Sequence, residues 1–166
     1  MTERTLTDQF LRELESEVVS TKKCLERIPE DRFRWKPHEK SLDMGYVGQI
    51  VAEIPRWIST AIEVGEINFG TFKHNEMKNG AELLAEFESN MEGARKALAG
   101  IGDESLEKMF ALKAGDQVLM SDSVRNTISS SINHLVHHRG QLTVYFRLAG
   151  IPVPSIYGPS GDEKTF

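Results

Sequence analysis

The apolar residues of this chain recur at three- and four-residue spacing in four separate stretches, and that rhythm constrains the fold more than any other feature. Phe10, Leu14, Val18, Leu25 and Ile28 follow it or its sums in the first stretch, and Met44, Val47, Val51, Ile54, Ile58 and Ala61 in the second. Leu84, Phe87, Met91, Ala94 and Leu98 carry the third, and Val124, Ile128, Leu135 and Leu142 the fourth. At about 3.6 residues per turn each set lines one side of a helix, and a helix with one apolar stripe must bury it against a neighbour. Helices are expected from about Leu6 to Ile28, from the N-cap Asp43 to about Val64, from Gly80 to Ala99, and from Ser121 or Asp122 to Ala149. No set of alternating strands competes, so the predicted class is an all-α four-helix bundle. Connections of roughly 14 residues or more exceed what a minimal up-and-down bundle needs and predict crossover topology.

Local chemistry sharpens this outline. Pro55 lies inside the second helix, where it removes the hydrogen bond to the carbonyl of Val51 and predicts a kink. Gly45, Gly48 and Ala52 give that helix a second face of small residues, suited to close packing. Gly100 is placed to end the third helix in the left-handed conformation, and Gly150 is placed to stop the fourth. Gly140, costly by about 1 kcal/mol inside a helix, suggests close approach of another helix. Between Phe110 and Met120, the Ala114-Gly115-Asp116 turn reads as either a short hairpin or a loop. From about residue 150 the prolines of Ile151-Pro-Val-Pro force an extended tail.

A length of 166 residues suits one domain, residues 1–166. The formal net charge of -5, with Arg and Lys scattered among acids, excludes the clustered cations that nucleic-acid binding requires. No apolar run approaches the ~20 residues that cross a bilayer, which excludes a membrane-spanning helix. The polar stretch Met1 to Asp8 has no leader-like pattern, and the single cysteine, Cys24, cannot form an internal disulfide; together they lead us to expect the cytoplasm. Cys24 falls in the apolar pattern of the first helix, where a buried inert thiol is the plain reading and a catalytic thiol the alternative.

The chemistry concentrates in Asn133-His134-Leu135-Val136-His137-His138-Arg139-Gly140-Gln141. At about 100° per residue His134 and His138 lie about 40° apart on one helix, so both imidazoles can reach one ion. Relative to the apolar stripe, His138 sits about 50° and His134 about 90° off its axis, at the edge of the interior, while His137, at about 150°, faces water. A histidine pair at this spacing suits zinc, nickel, iron(II) or copper, yet two ligands do not complete a site, and ordinary core-edge histidines are the competing reading. Arg139 reads either as an anion-binding residue or as the partner of an acid on the first helix. Tyr145 and Tyr157 read as packing rings or as hydrogen-bond donors to a bound ligand. His38 and His74 fall in polar connections and are expected in solvent.

The stretch NHLVHHRGQLTVYFRLAGIPVPSIYG (Asn133 to Gly158) resembles the C-terminal signature of DinB-like proteins, and RFRWKPHEKSLDMG (Arg32 to Gly45) resembles their first interhelical segment. The resemblance implies a crossover four-helix bundle, a homodimer, and a divalent metal held by three histidines, two of which match His134 and His138. It places the third ligand at Gln49, where similar proteins have histidine. A glutamine oxygen is a neutral and weaker ligand, so the implied site is weakened, altered in preference, completed by water, or lost. Glu53, one turn on, reads as a surface carboxylate, with a substitute ligand or general base as the alternative.

Two functions follow as expectations. One is a metal-dependent enzyme acting on a small molecule, with zinc or nickel ahead of iron and with the low-molecular-weight thiol used by S-transferases of this kind; Arg139 and Tyr157 would then contact substrate. The other is a non-catalytic dimeric stress-response or binding protein whose metal is structural or absent.

Overall fold

The computed structural model describes residues 5–164, and four helices dominate it: α1 (Leu6–Glu26), α2 (Met44–Glu63), α3 (Gly80–Ala99) and α4 (Val124–Ala149). Each begins where a side chain caps it. Thr5 and Asp8 form a reciprocal capping box on α1, and Asp43, Asn79 and Ser123 accept from the backbone N–H of Tyr46, Glu82 and Asn126. Such caps satisfy donors that the first helical turn leaves unpaired, worth about 1 kcal/mol each. Gly150 ends α4 as expected, at φ 74°, with Ile151 N–H donating to Phe146 O and Gly150 N–H to Arg147 O. Gly100 does not take the left-handed conformation: its φ is -87°, and the chain leaves α3 through right-handed backbone into a short 3-10 turn at Asp103–Glu107. The left-handed glycine missing from the sequence reading is Gly65, at φ 78°, just past α2.

The helices alternate around the bundle, α1 packing on α3 and α4, and α2 on the same two from the opposite corner. α1 and α2 therefore lie across one diagonal and α3 and α4 across the other, as the long connections suggested, while α2 and α3 are neighbours. The core draws on all four helices, with Leu25, Val51, Phe87 and Leu135 almost wholly buried. Truncating one such side chain to alanine costs about 2–5 kcal/mol, because both transfer energy and cavity are lost. In the first turn of α3 the fully buried leucine is Leu83, not Leu84, while Leu98 is buried as expected. The small second face of α2 packs as expected: a Cβ on Gly48 would lie 2.6 Å from Ile28 Cδ1 and 2.8 Å from Leu83 Cδ1. Gly140 corrects its reading, since a Cβ there would meet nothing within 4 Å.

The purely all-α class is also corrected. A three-stranded sheet lies beside the bundle, formed by β1 (Glu66–Asn68), β2 (Met109–Ala114) and β3 (Gln117–Ser123) in the order β1-β2-β3. β1 and β2 pair in parallel with α3 between them in sequence, whereas β2 and β3 form an antiparallel hairpin. Its two-residue turn leads with Gly115 at φ 59°, as right-twisted hairpins require, and a bulge follows, with Leu112 opposite Met120 but Lys113 opposite Val118. β3 runs directly into α4, so Ser121 and Asp122 are strand residues and the cap is Ser123. Among the described residues no helix is long and apolar enough to cross a membrane.

Past α4 the extended tail folds back along α1. Arg27 donates to Pro152 O at 3.1 Å and pairs with Glu163, while Ser20 donates to Ile156 O at 3.2 Å. Glu163 also accepts from Ser155 N–H at 2.9 Å, and that bond, with Arg27, holds its carboxyl down at about 2.

A histidine pair and a buried glutamate at a divided cleft

On α4 the four-residue spacing brings His134 and His138 together, Nε2 to Nε2 at 2.8 Å. His138 is buried and His134 opens toward solvent with the edge of Trp57 against its ring, the centroids 5.4 Å apart. His137 is exposed, as its angle on the helix predicted.

A relay fixes the tautomer of His138. Tyr145 Oη donates to Leu42 O at 3.2 Å, and the Gln141 amide nitrogen donates to Tyr145 Oη at 3.0 Å. The Gln141 oxygen therefore faces His138 Nδ1, at 2.8 Å, and that nitrogen carries the proton. The Nε2 lone pair of His138 is left pointing at His134. Burial lowers the pKa of both rings, helped for His134 by His138 and His137 and partly opposed for His138 by the Gln141 hydrogen bond, so both rings are neutral near pH 7. A neutral imidazole whose second nitrogen donates to an oxygen is the form that ligates metal.

Across from the pair, α2 presents Gln49 and Glu53. Glu53 is 1% exposed, which corrects its reading as a surface carboxylate. One of its oxygens accepts from Gln49 Nε2 at 3.3 Å and the other meets His74 Nδ1 at 2.7 Å. His74 is therefore not a free solvated residue but the partner of a buried acid, held from its own loop by Phe72, whose ring lies 5.3 Å away.

Gln49, Glu53, His74 and His134 line a cavity of about 240 Å³. A larger cleft of about 570 Å³ opens on the other side of His134, walled by β1, β2, β3 and α4. Trp57, Phe69, His74 and His134 belong to both.

This donor set fits an open metal site and not a closed one. Nitrogens bound at about 2.0–2.1 Å to one tetrahedral ion lie about 3.4 Å apart, so the pair, now 2.8 Å apart, need open by about 0.6 Å. Gln49 shares its cavity with His134 and, with its amide nitrogen turned to Glu53, has its oxygen free. Among the described residues, however, no three His, Cys, Asp or Glu side chains converge as a metal cluster.

The other candidate residues sit elsewhere. Arg139 is 1% exposed and faces α1: it pairs with Glu17 at 2.5 Å and donates to Thr21 Oγ1, Glu17 O and Tyr157 Oη. Tyr157 Oη in turn donates to Glu17 at 3.0 Å. Neither residue lines the two cavities beside the histidines, and the pairing of Arg139 with an acid of the first helix is the arrangement found. Cys24 is wholly buried, and burial pushes its thiol up to about 12, which leaves it protonated and inert.

The profile of the DinB family matches residues 1–165. A DinB-like protein of Bacillus cereus (strain ATCC 10987) of known structure superposes with a TM-score of 0.71 at 24% identity, covering 92% of this chain and 98% of that one. A second, YjoA of Bacillus subtilis, gives 0.69 at 20% identity over 95% and 99%. The uncharacterized protein YrdA of Bacillus subtilis (strain 168) is 59% identical over 32 residues, a match that spans only 19% of this chain and 19% of YrdA. With its helices, connections and C-terminal signature matched along essentially the whole length, this chain belongs to the DinB family.

Proposed function

We propose that this protein is a divalent-metal-dependent enzyme acting on a small molecule, with His134, His138 and Gln49 as its metal-holding residues. The observation that carries this reading is the converging His134 and His138 Nε2 atoms, with His134 lining both neighbouring cavities. Three neutral protein donors would leave coordination positions open, and a metal bound there would supply Lewis-acid polarisation or lower the pKa of a bound water or thiol. The chain's own contribution is positional. Gln141 orients His138, Trp57 supports His134, and Glu53, hydrogen-bonded to Gln49 and His74, is a carboxylate able to accept a proton inside the smaller cavity. Thiol transfer in the cytoplasm by a homodimer is the version of this activity that the family resemblance favours.

A second reading has an observation of its own. Among the described residues no third His, Cys, Asp or Glu joins the pair, and this incomplete donor set favours a metal-free binding protein that uses the same cleft. Elemental analysis of tag-free protein, purified without chelator or nickel resin, separates the two when run beside His138→Ala and Gln49→His. Near-stoichiometric metal in the parent that disappears in His138→Ala supports the enzyme. A metal-free parent that gains metal only with Gln49→His rejects it.

A further inference from the structure

The two cavities that meet at His134 differ in chemistry. The larger cleft is walled by Ile67, Phe69, Phe72, Phe110, Leu112 and Met120, and its polar lining is confined to hydroxyl, amide and imidazole groups. At about 570 Å³ it falls within the range of roughly 300–1,000 Å³ typical of small-molecule sites. The smaller cavity holds the buried Glu53 carboxylate. Among the described residues no Arg or Lys lines either one, and the buried Arg139 is committed to Glu17 on α1.

These features bear on ligand charge. In the metal-free protein an anion in the smaller cavity would lie beside the Glu53 carboxylate, whose His74 partner is already engaged, and an anion in the larger would lose its hydration to apolar walls. A hydrogen-bond donor, in contrast, meets acceptors on Glu53 and Gln49. We propose that the divided cleft binds an uncharged molecule with an aromatic or aliphatic body, seated between the sheet and α4, and one hydroxyl or thiol end directed past His134 toward Glu53. This inference rests on the reading above for its place in a reaction but not for binding itself.

Met120 tests the wall. It lines the cleft yet is 44% exposed, so a charge there is tolerated by the fold, and Val118, on the same strand at 53% exposure but outside the cleft, is the matched control. Full-length protein, chelator-treated and in parallel zinc-loaded, is titrated with the neutral dye N-phenyl-1-naphthylamine, whose emission rises out of water. The dye is then displaced with 1-naphthalenemethanol or with 1-naphthoate. In the chelator-treated protein we expect saturable dye binding, displacement by the alcohol at least tenfold better than by the carboxylate, and dye binding at least fivefold weaker in Met120→Glu but unchanged in Val118→Glu; zinc loading should narrow the preference only if the metal sits beside the cleft. Glu53→Gln should narrow the alcohol-to-carboxylate preference. Absence of saturable binding, equal displacement by the two compounds, or equal effects of the two strand substitutions overturns the inference. Selective binding in a protein that takes no metal sinks only the metal reading; metal binding without neutral selectivity sinks only this one.

Discussion

His138 and Arg139 are adjacent on α4, yet the helix turns them into opposite environments. Arg139 points at α1, where Glu17, Thr21 and Tyr157 absorb its hydrogen bonds in a buried network that ties the tail to the bundle. His138 meets residues of its own helix, with its Nδ1 fixed by Gln141 and its Nε2 against the His134 imidazole, which lines both cavities. Both carry the marks of a functional residue in sequence, a polar side chain in an apolar helix. What separates them is the partner: a buried guanidinium held by a counter-charge stabilises, whereas an imidazole whose second nitrogen meets only another imidazole, itself lining a cavity, can exchange that contact for a ligand.

The contrast breaks most visibly at Arg139. Arg139→Ala leaves the Glu17 carboxylate buried without its partner, and we expect a loss of about 3–5 kcal/mol in urea denaturation. Metal or dye affinity of the protein that still folds should stay as in the parent; a change in affinity with stability intact would move Arg139 to the binding side of the comparison.

Gln141 offers the opposite outcome. Gln141→Leu frees the His138 ring and abolishes the relay to Tyr145, so we expect metal affinity to fall about 10–100-fold with only a small change in stability. Isothermal titration with zinc measures it, and an unchanged affinity would remove the relay from the site.

The smallest effect is on the tail, through pH. Glu163 has a folded-state pKa of about 2 against an ordinary 4.5, owing first to the Ser155 N–H and then to Arg27. Because the folded value is depressed, its contribution is fully present above about pH 4.5 and is lost as pH falls toward 2. The Ser155 amide resonance should titrate in that window in the parent and stay flat in Glu163→Gln.

Much of this was legible because helices advertise themselves locally. Apolar spacing placed all four within a few residues, and Asp43 and Gly150 marked real ends because capping depends on near neighbours. The histidine pair was legible for the same reason. Glu53 was not: α2 is buried from Val51 through Pro55, since it packs on two helices while a further loop covers it, and the rule of one wet face fails for a helix surrounded on all sides. His74 was equally hidden, because only the fold of the loop after β1 carries it to Glu53. Nor did the sheet show itself. β1 has three residues, and Val118, Leu119 and Met120 are consecutive and exposed, without the alternation that signals a half-buried strand.

The sequence by itself determined the elements whose causes are local: the four helices, the caps at Asp43 and Gly150, and the two imidazoles one turn apart. Only the tertiary structure decided which polar residues were spent and which stayed available. That outcome depends on what other elements place opposite each side chain, and a carboxylate or guanidinium has the same spacing in sequence whether its partner is a buried counter-charge, a glutamine or an open cavity.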